Sequence, residues 1–367
     1  MNISVEKKFK IEFSPVGCDG IVSSLDPLSL DYFFKNNFHR LNQTENTTEL
    51  IKITQTAVLR SKRIDLNKYT AMAITRDLGF LASALTKHNI KIQEVFGLEE
   101  ELSRMVFFTL EVPRDNVNSY ATRNPQGDRQ RSYTGLQEEN LFIDSVRKAM
   151  VCLPKVVENL LALKVVSIDD GAFINLLDKA TGYFKDIIDS IIKVKKNVSP
   201  ECFSFQLRPY FPVLEIKGKS YFGPGGAQII MLLVDYILYG SSSTNKEYID
   251  FVEENKEYLP IEFRETFKIL TTTPSLLDLI EDYILNQLTL VDRNKALVAV
   301  TELEKFFNKI VAFRRPHTQL AKDNMNVRPS NSLGSGGYDT TILDTLLTLT
   351  DFNKNRVKKL KLYLKEC

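Results

Sequence analysis

NKALVAVTELEKFFNKIVAFRR, residues 294–315, decides the fold class. Val300, Leu303, Phe307, Ile310 and Phe313 recur in steps of three and four, the spacing that lines one face of an α-helix. The same pattern runs through LFIDSVRKAMVCLPKVVENLLALK (141–164), FINLLDKATGYFKDIIDSIIKVKK (173–196) and LLDLIEDYILNQLTLV (276–291). Strand signals are few: EFSPVG, VFFTLEVP and a candidate hairpin, VLEIKGKSYFGP (213–224). The sequence therefore predicts a mainly α protein, with a helical bundle in its C-terminal half.

The chain has 367 residues, enough for one large domain or two ordinary ones. We expect an N-terminal, mostly helical region with a linker loop over 1–135 and a helical domain over 136–367. SYATRNPQGDRQRSYTG (119–135), rich in Arg, Gly and Asn, reads as the long loop between them. The formal net charge of +2 leaves no electrostatic footprint for a nucleic acid. The most apolar run, AQIIMLLVDYILYG (227–240), is too short to span a bilayer and carries Asp235, so it reads as a buried helix and no membrane role is expected. The basic C-terminal pattern NRVKKLKLYLKEC reads as a solvated helix face. Cys18, Cys152, Cys202 and Cys367 are scattered with no CxxC pair. Together with an N-terminus that has no long apolar stretch, they point to a reducing, cytoplasmic setting.

The apolar stripe of 294–315 continues into His317 and Leu320, one residue beyond Pro316. The proline removes one backbone hydrogen bond and presses on the preceding turn, setting a local bend. The imidazole points where its neighbours point, and its nitrogens need partners. It is either a satisfied core histidine beside a bend or a metal ligand, since a proximal histidine facing an apolar cavity is a common haem anchor. His39 and His88 lie in polar stretches and read as surface residues. HExxH and the P-loop are absent.

Three other segments stand out. In GPGGAQ (223–228), Gly225 and Gly226 allow close backbone approach or a tight turn before a buried helix. In SLGSGGYD (332–339), Gly334, Ser335, Gly336 and Gly337 form a flexible turn or a lid over a polar ligand. Arg208, in FSFQLRPYFP, is either paired to an internal acid or available to a carboxylate, which its planar fork suits.

In order, an LRPYF block, a YFGPGGAQ block leading to DYILYG, an RRPH block and a GSGGY block resemble the haem-dependent indoleamine 2,3-dioxygenase superfamily. The resemblance covers roughly residues 140–350. It is closest to the branch that contains monodechloroaminopyrrolnitrin synthase, the indole-rearranging enzyme of pyrrolnitrin biosynthesis. It implies a helical bundle enclosing a haem pocket, haem b as cofactor and O2 as co-substrate. His317 matches the proximal iron ligand, and Arg208 the arginine that grips the substrate carboxylate. Gly225, Gly226 and Ala227 match the loop near haem and substrate, with its serine replaced. Gly334, Ser335, Gly336 and Gly337 match the late Gly-Thr-Gly-Gly turn, with Ser for Thr. Ser145 matches a serine of the distal pocket.

The resemblance implies an oxygenase or oxidase acting on tryptophan or a related aromatic amino acid. The departures favour an indole-tailoring or ring-rearranging step of secondary metabolism over cleavage to N-formylkynurenine. The implied partners are that small substrate and an electron donor, in a monomer or homodimer. The alternatives are a non-catalytic haem or aromatic-ligand binding protein and a helical bundle without cofactor.

Overall fold

The computed structural model describes residues 15–224, 229–327 and 341–366. Its longer helices are α1 (Pro15–Ser24), α2 (Thr47–Ser61), α3 (Lys68–Lys87), α4 (Leu98–Thr109), α5 (Gln137–Leu163) and α6 (Gly171–Asn197). They are followed by α7 (Ile229–Leu238), α8 (Lys246–Asn255), α9 (Ile261–Leu270), α10 (Leu276–Asn286), α11 (Arg293–Asn326) and α12 (Thr341–Glu366). The chain is mainly α, as the periodicity predicts.

One two-stranded hairpin interrupts the helices: β1 (Leu214–Ile216) pairs antiparallel with β2 (Lys219–Tyr221). Lys217 and Gly218 both take positive φ at its turn, the conformation of a two-residue loop that matches strand twist. The expected strand in VFFTLEVP is instead the end of α4, which runs to Thr109. Likewise residues 15–17, the described part of EFSPVG, open α1. Short apolar runs do not distinguish a strand from a buried helical turn.

In the C-terminal half, α5 packs on α6, α6 on α11, and α11 on α12. Helix α6 shows why. Asp170 caps it by accepting from the Ala172 amide at 2.8 Å, and Lys195 and Lys196 close its last turn, where cations suit the helix dipole. Phe173, Leu177, Ala180, Phe184, Ile187 and Ile191 form its buried face. Phe184 meets Phe306 and Phe313 of α11 edge-on, at 5.5 and 6.1 Å between ring centroids. Helix α11 runs unbroken through Pro316. Phe313, Arg314, Thr318 and Leu320 are buried on either side of it, and that packing carries the helix past the missing backbone bond.

A second core gathers Phe34, Phe38, Phe80, Leu81, Tyr120, Tyr133 and Phe211 in the N-terminal half. Phe142 of α5 and Phe203 are packed against both cores. No described helix is long and apolar enough to cross a membrane.

The stretch 119–135 is mostly irregular, as a loop would be, but much of it is interior, with 126–128 left exposed. Arg123, Asn124, Arg131, Ser132 and Tyr133 are buried. Arg131 and Arg76 both clasp the fully buried Asp77: Arg76 Nε donates at 2.7 Å and Nη2 at 2.9 Å, Arg131 Nε at 3.1 Å and Nη2 at 3.4 Å. Arg123 donates to both oxygens of Glu111 and to Asp19. Arg114 pairs with Asp115 and also holds the Pro212 and Tyr221 carbonyls, which ties the hairpin to this layer. Asp115 lies against Gly79 of α3, where any side chain would collide with it. The two polar-stretch histidines are not surface residues either. His88 is buried, and His39 is half-buried with Nε2 against the Ser132 carbonyl and hydroxyl at 3.0 and 2.9 Å.

Candidate functional site

His317 sits on α11 one turn past Phe313, whose ring it stacks at 5.6 Å with 16° between the planes. It is half-buried, and neither ring nitrogen has a hydrogen-bond partner among the described residues. Burial, and then the Arg314 cation, push its pKa down to about 4. The ring is only partly accessible, and the protein packed around the rest of it supplies the desolvation. At neutral pH it is therefore an uncharged imidazole with an uncommitted lone pair, the form that binds a metal.

Arg314, one turn earlier, is buried in an ion pair with Asp235 of α7 and donates to the Leu346 carbonyl of α12. Tyr239 donates to Asp235 at 3.0 Å and lies 3.2 Å from the Thr350 hydroxyl. Helix α7 begins directly after the first Gly-rich block and α12 directly after the second. The network thus fixes the helix that carries His317 to the helices that issue from both blocks. Gly225, Gly226, Ala227, Gly334, Ser335, Gly336 and Gly337 lie outside the described residues.

Arg208 follows a π-helical segment, Cys202–Leu207. Such segments are rare and concentrate at functional sites. This one contacts both α5 and α11. Its Ser204 hydroxyl donates to the Asn324 carbonyl of α11 at 2.6 Å, and Phe203 meets Phe142 edge-on at 5.5 Å. Phe142 lies one turn before Ser145 on α5. Ser145 is 3% exposed, and its hydroxyl has no partner among the described residues. A buried orphan hydroxyl costs about 1–3 kcal/mol, so it marks a position awaiting a ligand or a water. The π segment thus touches the helix that bears Ser145 and the helix that bears His317, and leads into Arg208.

These residues suit haem. Among the described residues no three His, Cys, Asp or Glu side chains are grouped to hold a bare ion. A single neutral imidazole beside phenylalanines suits a metal that arrives in its own macrocycle. Sequence reasoning missed the Asp235–Arg314 pair and Asn324. Asp235 carried a signal, as the lone acid in an apolar helix. Asn324 carried none.

A mainly helical chain with an unpartnered neutral imidazole and an orphan hydroxyl, on two helices that both meet one π segment, carries polar groups of the kind an enzyme uses. The comparison with protein families is more specific. The family model for monodechloroaminopyrrolnitrin synthase PrnB matches residues 40–363, and the chain belongs to this enzyme family.

Proposed function

We propose that this protein is a haem b-dependent oxygenase or oxidase. Its substrate is tryptophan or a related aromatic amino acid, and its reaction an indole-tailoring or ring-rearranging step of secondary metabolism. The observation that carries the reading is the family match over 40–363 in a chain whose matched span contains one uncharged, unpartnered imidazole on a long helix. His317 is the proximal ligand, and residues 136–367 form the haem-binding part. Haem, when bound, supplies the activation of O2.

The chain's own residues do the rest. Arg208 holds the substrate carboxylate by two parallel charge-assisted bonds. The Ser145 hydroxyl offers a polar contact at the reacting face. Gly225, Gly226 and Ala227, with Gly334, Ser335, Gly336 and Gly337, are the remaining substrate-binding residues, and Gly225 and Gly226 also serve the cofactor. Burial, with the Arg314 charge adding to it, keeps His317 in its neutral form.

The test is the absorption spectrum of the purified protein supplied with haem, with and without L-tryptophan. A Soret band that shifts on adding the amino acid and is lost in His317→Ala is expected. Stoichiometric haem uptake by His317→Ala with an unchanged band would remove the ligand assignment. With O2 and reductant, a product carrying two added oxygen atoms would indicate ring cleavage instead of rearrangement.

A further inference from the structure

We propose that the Asn324 carboxamide is a substrate-positioning group that accepts the α-ammonium of the aromatic amino acid; this rests on the substrate reading above. Asn324 lies seven residues beyond His317 on α11, two helical turns on, so both project from the same face. Its Oδ1 is sealed from solvent and accepts no hydrogen bond. A buried acceptor left without a partner can be completed by a donor that arrives with the ligand.

The position of the amide selects which donor. The Asn324 backbone carbonyl is held by Ser204 at 2.6 Å, and Ser204 stands four residues before Arg208. Ser204 lies inside the π segment and Arg208 directly after its end, so the two are about one turn apart along the chain. The Asn324 backbone is thereby tied to the segment that leads into Arg208, the residue assigned to the carboxylate. An α-amino acid carries its carboxylate and its ammonium on a single carbon. A guanidinium and an amide oxygen on segments tied together match the two groups. A ligand without the amine leaves the oxygen unmet, and selectivity of this kind, through a buried polar group left unpaired, is stronger than pocket shape provides.

The experiment is equilibrium dialysis of L-tryptophan and of indole-3-propionate, the same skeleton without the amine, against the haem-supplied protein. Asn324→Ala should bind tryptophan about 10-fold or more weakly while its affinity for indole-3-propionate stays within about twofold of the parent's. Asn324→Asp keeps an acceptor for a cation and should hold tryptophan within about threefold, which separates the contact from a packing defect. Parental tryptophan affinity in Asn324→Ala, or equal losses for both ligands, overturns the assignment. A parent protein that takes up no haem would sink the oxygenase reading, but the dialysis would still report on the amide, so the two failures are distinguishable.

Discussion

Replacing Asp77 by asparagine preserves the side chain's shape and removes its charge. In the parent, four hydrogen bonds from Arg76 and Arg131 converge on this carboxylate, and both arginines and the acid are fully buried. Asparagine can still accept at one oxygen, but its NH2 faces donors, so about two charge-assisted contacts are lost at about 1.5–3 kcal/mol each. Leaving buried charges unpaired costs about 3–5 kcal/mol by the same reasoning, so about 4 kcal/mol is the central expectation. With an unfolding entropy of about 2.1 cal/mol/K per residue over 367 residues, that corresponds to a Tm about 5 °C lower. Burial alone would raise the Asp77 pKa, but the charges of Arg76 and Arg131 outweigh it and hold the carboxyl below its ordinary range. A depressed folded pKa means that the stabilisation is complete above the unfolded value, about 3.9, and fades as pH falls through the folded one. The gap between parent and variant should therefore be full at pH 7 and shrink below about pH 4. Calorimetric scans at several pH values make the measurement. A loss under about 1 °C at pH 7, or a gap independent of pH in acid, would refute the claim that this cluster is a dry, mutually dependent unit.

Three further outcomes are expected. Gly79→Ala should destabilise by about 1–2 kcal/mol in urea titration, because the new Cβ would stand 2.4 Å from Asp115 Cβ and overpacking outweighs the helix-propensity gain of about 1 kcal/mol. Phe184→Ala should lower stability by about 3–5 kcal/mol and speed haem loss to a scavenger, since its ring braces Phe306 and Phe313 beneath His317. The folded pKa of His317, about 4, lies below the ordinary 6.5, so the haem-free protein keeps this contribution above pH 6.5 and loses it as pH falls toward 4. Urea midpoints at pH 7 and 4.5 should show the parent losing about 2 kcal/mol more than His317→Gln.

The bundle was legible in the sequence because its helices bury one face each. The stripes at 173–196 and 294–315 fall within α6 and α11, and the one at 141–164 overruns α5 by a single residue. The hairpin was legible from Lys217-Gly218, which supply positive φ at the turn. The interior of 111–133 was not legible. Arginines and acids read as surface, and Arg131 finds Asp77 across 54 positions that no local pattern connects. His317 was singled out by its place in a stripe. Its uncommitted nitrogens became visible only once its neighbours were in position. The π segment before Arg208 left no mark, because an extra residue in a helical turn changes hydrogen bonding and not composition.

Helix α11 is 34 residues long, and its two ends have different tasks. Arg293 at its start grips the Leu364 carbonyl near the end of α12, while His317 and Asn324 occupy the other end. A residue added or deleted between these points would turn everything beyond it by about 100° around the axis and carry both side chains off their face. The segment can therefore exchange many of its amino acids but not alter their number. Length variation that leaves the pocket intact is confined to the connections outside this helix.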